Sequence, residues 1–338
     1  MLIHLLILMI GIKHIRSLSS IANQPRVLKR IEWQNKAEEH AKLIYNMIYP
    51  PNQNYGSEKE RLHAVHEHPI YNFIHKYYSY SLKQIRFYSP GRNVLLQEVH
   101  KKKDVNNILS PDFFNSIYNN ENDDIKCNGM YEIEKNNLSN KKRKKFEKSR
   151  DILLKTSITP PHFSCFGLHE WAMLAKGDGK ESRHQTLPLR VSQQVIDKVV
   201  QSKGALRCTH FDAFRFFHPD VTALNDVQLS RAKQVDTEQP GCVHATMDLF
   251  KYAYELYPLV SAEILRACLG VSLDARHIDM RASPYDCSAI EGVGDPIKIE
   301  TAEGRKQYAT EECGRFRDFM MRTMAASTSL YTRLQMMK

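Results

Sequence analysis

The sequence predicts a mainly α protein: a helical globular domain with minor β elements. Apolar residues recur at three- and four-residue intervals in several stretches. Prolines, glycines and Ser/Thr residues bound those stretches, where helices start and stop. Strand-like alternation is confined to one short run, Pro296 to Glu300. With 338 residues, 42% of them hydrophobic, the chain can bury a sizeable core in one large domain or two ordinary ones.

Residues 1–31 read as a targeting leader. Met1 to Ile12 is almost wholly apolar, and a basic, Ser-containing, acid-free stretch follows. The apolar run is too short to span a bilayer, and no other segment is a transmembrane candidate, so no membrane span is expected. The leader suits a transit peptide to an organelle, mitochondrion or plastid; a cytoplasmic protein is the alternative.

Residues 32–100 form the N-terminal helical part of the body. Trp33, Ala37, Ala41, Ile44 and Ile48 share one helical face, and Pro50-Pro51 ends it. Pro69 starts a second helix with Ile70, Phe73, Ile74 and Tyr77 on one side. Residues 101–150 hold ten asparagines between Asn106 and Asn140, then a Lys/Arg cluster. Few large apolar residues accompany them, so this stretch is expected to be a disordered insertion.

Residues 151–338 are the main helical domain. Ser192 to Val200 is a capped helix stopped by Gly204, with Val195, Ile196 and Val199 inward. His244 to Tyr257 is a helix broken by Pro258, with Met247, Phe250 and Tyr254 on one face. Ile264, Ala267, Cys268 and Val271 begin another. Thr301 caps a long C-terminal helix containing Tyr308, Phe316 and Phe319.

The net charge of +10 sits outside this body. Residues 1–31 carry five bases and no acid, and residues 141–150 carry seven bases and one acid; the remainder sums to −1. Bulk charge therefore gives the body no special attraction to phosphate. Seven cysteines, without a CxxC pair, point to reduced thiols instead of a disulfide scaffold.

Three segments pair cysteine with histidine: Cys165-Phe-Gly-Leu-His169, Cys208-Thr-His210 and Cys242-Val-His244. Glu170, Asp212 and Asp248 follow them. Thiol, imidazole and carboxylate are the groups that bind metals and move protons. His169, His210, His244 and Asp248 are candidate ligands for zinc or iron, although no HExxH, CxxC or ferritin-like spacing is present. Equally, Glu170, His169, His210 and Asp212 are candidate acid–base catalysts, and a nearby His⁺ could activate a thiol. Arg281, Ser283 and Tyr285 lie in Asp279-Met-Arg-Ala-Ser-Pro-Tyr-Asp286, a segment placed to bind a cofactor or other ligand. Arg183-His184-Gln185 and Arg190 form a weaker anion site. Phe211, Phe214, Phe216 and Phe217 could stack a base but suit a core. Gly177-Asp-Gly179-Lys180 lacks P-loop spacing, and Gly292-Val-Gly294 is a lone GxG.

Six phrases resemble a family of bacterial and plant proteins commonly named 3-methyladenine DNA glycosylase. They are HEHPIYNFIHKYYSY (66–80), PHFSCFGLHEWAM (161–173), RHQTLPLR (183–190), RCTHFDAFRFF (207–217), EQPGCVHATMDLFKYAYEL (238–256) and DMRASPYD (279–286). The similarity spans roughly residues 33–100 and 151–310. The resemblance implies a DNA-repair base-excision enzyme whose partner is DNA. In it Phe211, Phe214 and Trp171 would stack an extruded base, and Glu170 or Asp212 would stabilise the sugar cation. The residues alone equally suit a metal-dependent enzyme on a small-molecule substrate. A non-enzymatic organellar interaction protein, binding through 101–150, is a third reading.

Overall fold

The computed structural model describes residues 25–49, 56–105, 107–110, 114–116, 126–131, 139–163, 165–175, 187–202, 204, 206–309 and 331. Residues 1–24 of the proposed leader, Pro50-Pro51, Arg183-His184-Gln185, the Gly177–Lys180 stretch, and Phe316 and Phe319 lie outside them. The fold is mainly α with one small sheet.

The chain is ordered before Trp33. Strand β1 (Arg26–Leu28) precedes helix α1 (Arg30–Ile48), so the expected boundary at residue 31 falls inside the fold. Helix α1 starts where the Glu32 carboxylate accepts the Lys29 N–H at 2.8 Å. It buries Trp33, Ala37, His40, Ile44 and Ile48, the anticipated stripe with His40 in place of Ala41.

Helix α2 (Glu58–Glu67), capped by Ser57, precedes Pro69. The second N-terminal helix therefore ends before the proline instead of beginning at it. Residues 69–72 turn, and the short helices Phe73–Lys76 and Leu82–Arg86 follow them. Phe73 and Ile74 are buried there, as their spacing suggested.

Strand β2 (Val94–His100) runs parallel to β1, and β3 (Phe114–Ser116) and β4 (Lys126–Tyr131) complete the sheet in the order β1-β2-β4-β3. Leu96 faces Gly129, and Val99 faces Cys127. Trp33 Nε1 donates to Gln97 O at 2.9 Å, and Arg30 pairs with buried Asp104 at 2.8 Å, which fastens α1 to the sheet.

The expectation of disorder over 101–150 is thus corrected for its described residues. Tyr131 is fully buried and its hydroxyl donates to Ser110 O at 3.0 Å. Helix α3 (Asn140–Ile158), capped by Ser139, runs through the basic cluster and across residue 150. Phe146, Ser149, Ile152, Leu153 and Thr156 make a buried stripe on it, while the lysines occupy the other faces. Composition averaged over fifty residues hid that periodicity.

Helix α4 (His169–Leu174) and α5 (Gln193–Gln201) follow. Helix α5 buries Ile196, Val199 and Val200, and Ser192 at its start makes no side-chain cap. Helices α6 (Val243–Leu256) and α7 (Ala262–Ala282) form the central hairpin, the latter capped by Ser261. Ser272 Oγ lies 3.1 Å from the carbonyls of both Thr246 and Met247 and locks the pair. Residues 296–298 are not a strand; Ile297 N bonds to Arg281 O at 2.8 Å instead. Thr301 does cap, accepting Gly304 N–H at 2.9 Å before helical residues 302–309.

The N-terminal part shares its core with α6 and α7: Ile44, Phe73, Ile152, Phe250 and Leu269 belong to one cluster. His40 bridges them, with Nε2 donating to Ile85 O at 2.9 Å and Nδ1 accepting from Arg266 at 2.8 Å. Burial, then the Arg266 charge, lowers His40 to about 4. His68 is also lowered to about 4 by burial. Among the described residues no helix is long and apolar enough to cross a membrane.

Two outcomes follow from this packing. Trp33→Ala should cost about 3–5 kcal/mol in denaturant unfolding, and Trp33→Phe only about 1 kcal/mol, for the lost bond to Gln97. Both folded imidazoles titrate below their unfolded value, so their stabilisation is full above pH ~6.5 and is lost as pH falls toward ~4. Melting temperature should drop across that window, and His40→Gln should flatten part of the drop.

Candidate active site

The cavity at the centre of the molecule has a volume of about 600 Å³. Helix α6 supplies one wall through His244, Met247, Asp248 and Lys251, which follow the spacing of a single helical face. Residues 73–78 bring Phe73, Lys76, Tyr77 and Tyr78. His169, His210, Asp212, Arg215, Phe216, Arg231 and Arg276 close the rest.

His169 opens α4 after a tight turn. Phe166 takes φ +47° and Gly167 takes φ +68°, a backbone shape that glycine adopts without strain. Trp171 Nε1 donates to Ala282 O at 2.8 Å and moors this short helix to the end of α7. Residues 206–210 are irregular, and the Cys208 thiol donates to His210 O at 3.6 Å. Asn225 clamps this segment: its Oδ1 accepts Cys208 N–H at 2.7 Å, and its Nδ2 donates to Cys208 O at 3.0 Å.

Glu238 comes from the turn before α6. Gln239 Oε1 accepts N–H bonds from Gly241 at 2.7 Å and His162 at 3.1 Å to shape it. A Cβ at Gly241 would stand 2.5 Å from the Phe163 ring and 2.6 Å from His162 O, so only glycine fits.

These elements build a charged relay. His210 Nδ1 meets Glu238 Oε1 at 2.8 Å, and its Nε2 lies 3.6 Å from Asp248 Oδ2. Asp248 also accepts from the Tyr78 hydroxyl at 2.8 Å and pairs closely with Lys251. Lys251 reaches Asp212 Oδ2 at 3.4 Å, where Gln234 also donates at 3.3 Å.

The environment sets opposite charge states on neighbouring imidazoles. Burial alone would lower His210, but the charge and hydrogen bond of Glu238, with Asp248 beyond, raise it to about 9. Burial, then the charges of His169 and His210, push His244 well below its ordinary value. The rings of His210 and His244 are stacked 6.1 Å apart, and those of His169 and His244 are 4.4 Å apart. At neutral pH an imidazolium and a neutral imidazole thus face each other. Lys251 stays an ammonium because Asp248 and Asp212 outweigh its burial. Asp212 stays ionised because Lys251 and His210 outweigh its own burial.

A second buried cluster lies behind the cavity. Arg276 donates to Glu170 at 3.0 Å, to Asp279 at 2.6 Å and to Pro69 O at 3.0 Å. Its guanidinium carbon is 5.4 Å from the Tyr77 ring centre. Burial, helped by the Glu170 charge and opposed by Arg276, lifts Asp279 to about 7.

Five sequence candidates, His169, His210, Asp212, His244 and Asp248, are therefore brought to one cavity. Glu170 is not: it is fully buried behind the cavity, where it pairs with Arg276. Among the described residues no three His, Cys, Asp or Glu side chains are placed to hold a metal ion. In His210 both ring nitrogens face carboxylates. The thiols of Cys208 and Cys242 are raised by burial first, with no activation by the adjacent imidazoles.

Arg281, Ser283 and Tyr285 do not line this cavity. Arg281 Nε donates to Asp295 O at 2.8 Å, Ser283 Oγ donates to Met280 O at 2.7 Å, and Tyr285 is buried against Ile70, Met280 and Val293. Arg190 pairs with Glu300 at 2.6 Å instead of facing a ligand. Of the expected base-stacking residues, Phe211, Phe214 and Trp171 belong to a hydrophobic core, and Phe216 lines the cavity.

Tyr78, Glu238, Lys251 and Arg276 were not among the sequence candidates. Lys251 was findable, because it continues the stripe of His244, Met247 and Asp248. Nothing local marks Glu238 or Tyr78. Comparison with protein-family models, curated proteins and solved structures gave no match.

The Arg276 cluster yields a signed expectation. Arg276→Met leaves two buried carboxyls without their cation and should destabilise by about 3–5 kcal/mol at neutral pH. Protonating a carboxyl removes that penalty, so in urea titrations the deficit should shrink near pH 5. A deficit equal at both pH values would mean that lost packing, not unpaired charge, dominates.

Proposed function

We propose that the cavity is the active site of a hydrolase that cleaves an N-glycosidic bond, releasing a base as a 3-methyladenine DNA glycosylase does. One observation carries this reading: protonated His210 and neutral His244 stand side by side, next to Asp248, in an aromatic-walled cavity. Like groups held in opposite protonation states can give and take a proton within one cycle.

In this reading the base lies against Tyr77 and Phe216, as extruded bases do in aromatic pockets. His210 gives its proton to the departing nitrogen. Asp248 and Asp212 face the positive charge that develops on the sugar. His244 accepts a proton from the water whose oxygen bonds to the anomeric carbon. The phrases that carry the family resemblance also supply this wall: 66–80 contains Tyr77 and Tyr78, 207–217 contains His210, Asp212 and Phe216, and 238–256 contains Glu238, His244, Asp248 and Lys251.

Purified protein should release methylated bases from alkylated duplex DNA. His210→Gln should lower that rate about 10²–10⁴-fold with the fold intact by circular dichroism. A wild-type protein that releases no base from alkylated DNA would sink the reading. The pH profile gives a separate check. The acid form of His210 is lost above about 9, so kcat/KM should hold to that pH and then fall. Glu238→Gln removes the anion that raises His210, and should move the falling limb down by about a unit or more.

A further inference from the structure

The mouth of the cavity is cationic in a way that the proton relay does not need. Lys76, Arg215 and Arg231 line the cavity and are exposed at its edge. The Arg215 and Arg231 side chains retain 48% and 67% of their accessible surface, so a ligand can reach both. Arg215 Nε and Arg231 Nη2 stand 3.7 Å and 4.0 Å from the same oxygen of Asp212, which keeps the two guanidinium groups close together. Each lies over an aromatic ring, Arg215 at 4.2 Å from Phe216 and Arg231 at 5.5 Å from Phe211, which restricts their freedom.

The charges around the cavity do not cancel. Asp212 and Asp248 are shared with Lys251, Glu238 matches His210, and Glu170 and Asp279 sit on Arg276. Lys76, Arg215, Arg231 and Lys251 then face Asp212, Asp248 and the second carboxylate on Arg276, an excess of one positive charge. Lys148 of α3 adds to them, donating to Arg231 O at 3.2 Å. Its own ammonium is lowered by burial and next by the Arg231 charge. This concentration stands out because the body of the chain is close to neutral.

We propose that Arg215 and Arg231, with Lys76 at the same mouth, bind a phosphate group of the substrate while its base occupies the aromatic interior. The idea rests on the reading of the cavity as an active site, and it names what the substrate must carry. Arginine pairs suit this task, because planar guanidinium groups offer paired N–H donors to phosphate oxygens. A phosphate monoester and a strand phosphodiester present the same oxygens to these donors.

The test uses the full chain with inorganic phosphate, adenosine monophosphate, adenosine and a single-stranded hexanucleotide. Millimolar phosphate should raise the melting temperature by about 3 °C over chloride at equal ionic strength. The double variant Arg215→Gln/Arg231→Gln should lose that rise. By calorimetry, adenosine monophosphate should bind about tenfold or more tightly than adenosine, and the double variant should erase the difference. Stronger binding of the hexanucleotide would assign the site to a strand phosphodiester, and stronger binding of the mononucleotide to a monoester; both support a phosphate site.

Equal melting in the two salts, or a phosphate effect that survives in the double variant, overturns the proposal. Phosphate binding without base release would uphold this site and reject the glycosidic reading. Undiminished base release at unchanged KM by the double variant would do the reverse.

Discussion

The guanidinium of Arg276 joins more of this molecule than any other side chain at the site. It projects from α7, holds Glu170 of α4 and Asp279 of its own helix, and caps the carbonyl of Pro69. Three parts of the chain that are distant in sequence meet at one buried cation. Burying a lone charge is strongly unfavourable, so each partner's position depends on the others being present. That coupling keeps Tyr77 over the cavity and sets His169, the neighbour of Glu170, in its wall.

Helix α6 then turns a fixed framework into a chemically asymmetric one. Its stripe of His244, Asp248 and Lys251 meets His169, His210, Tyr78 and Asp212 from outside the helix. Glu238 decides the outcome: its carboxylate holds His210 charged, while burial and the charges of His169 and His210 keep His244 neutral. His210 is almost fully buried, so the charge of Glu238 on it is weakly screened. The shape of the Glu238 turn depends in turn on the missing side chain of Gly241.

Much of the scaffold was legible. The stripe of Trp33, Ala37, Ile44 and Ile48, the break at Pro258, the capping by Thr301 and the mainly α class all follow from local rules. Local rules failed where composition was averaged, as over α3, whose apolar stripe is masked by lysines. They failed also at Pro69, which was compatible with a helix start but lies in a turn that meets Arg276. The grouping of Cys–His segments drew attention to His169, His210 and His244, which the fold brings to one cavity. It gave the thiols too much weight, because their burial could not be seen.

What the sequence by itself determined is the mainly α class, helices with a clear apolar stripe such as α1 and α6, and the supply of imidazoles and carboxylates. Tertiary structure alone decided which of these groups interact and in what charge state. His210 meets Glu238 across 28 positions, Glu170 meets Arg276 across 106, and Asp248 meets Tyr78 across 170. Periodicity reaches only a few residues along a chain, whereas an ionisation state depends on distance and burial. Those are set when separate segments pack together.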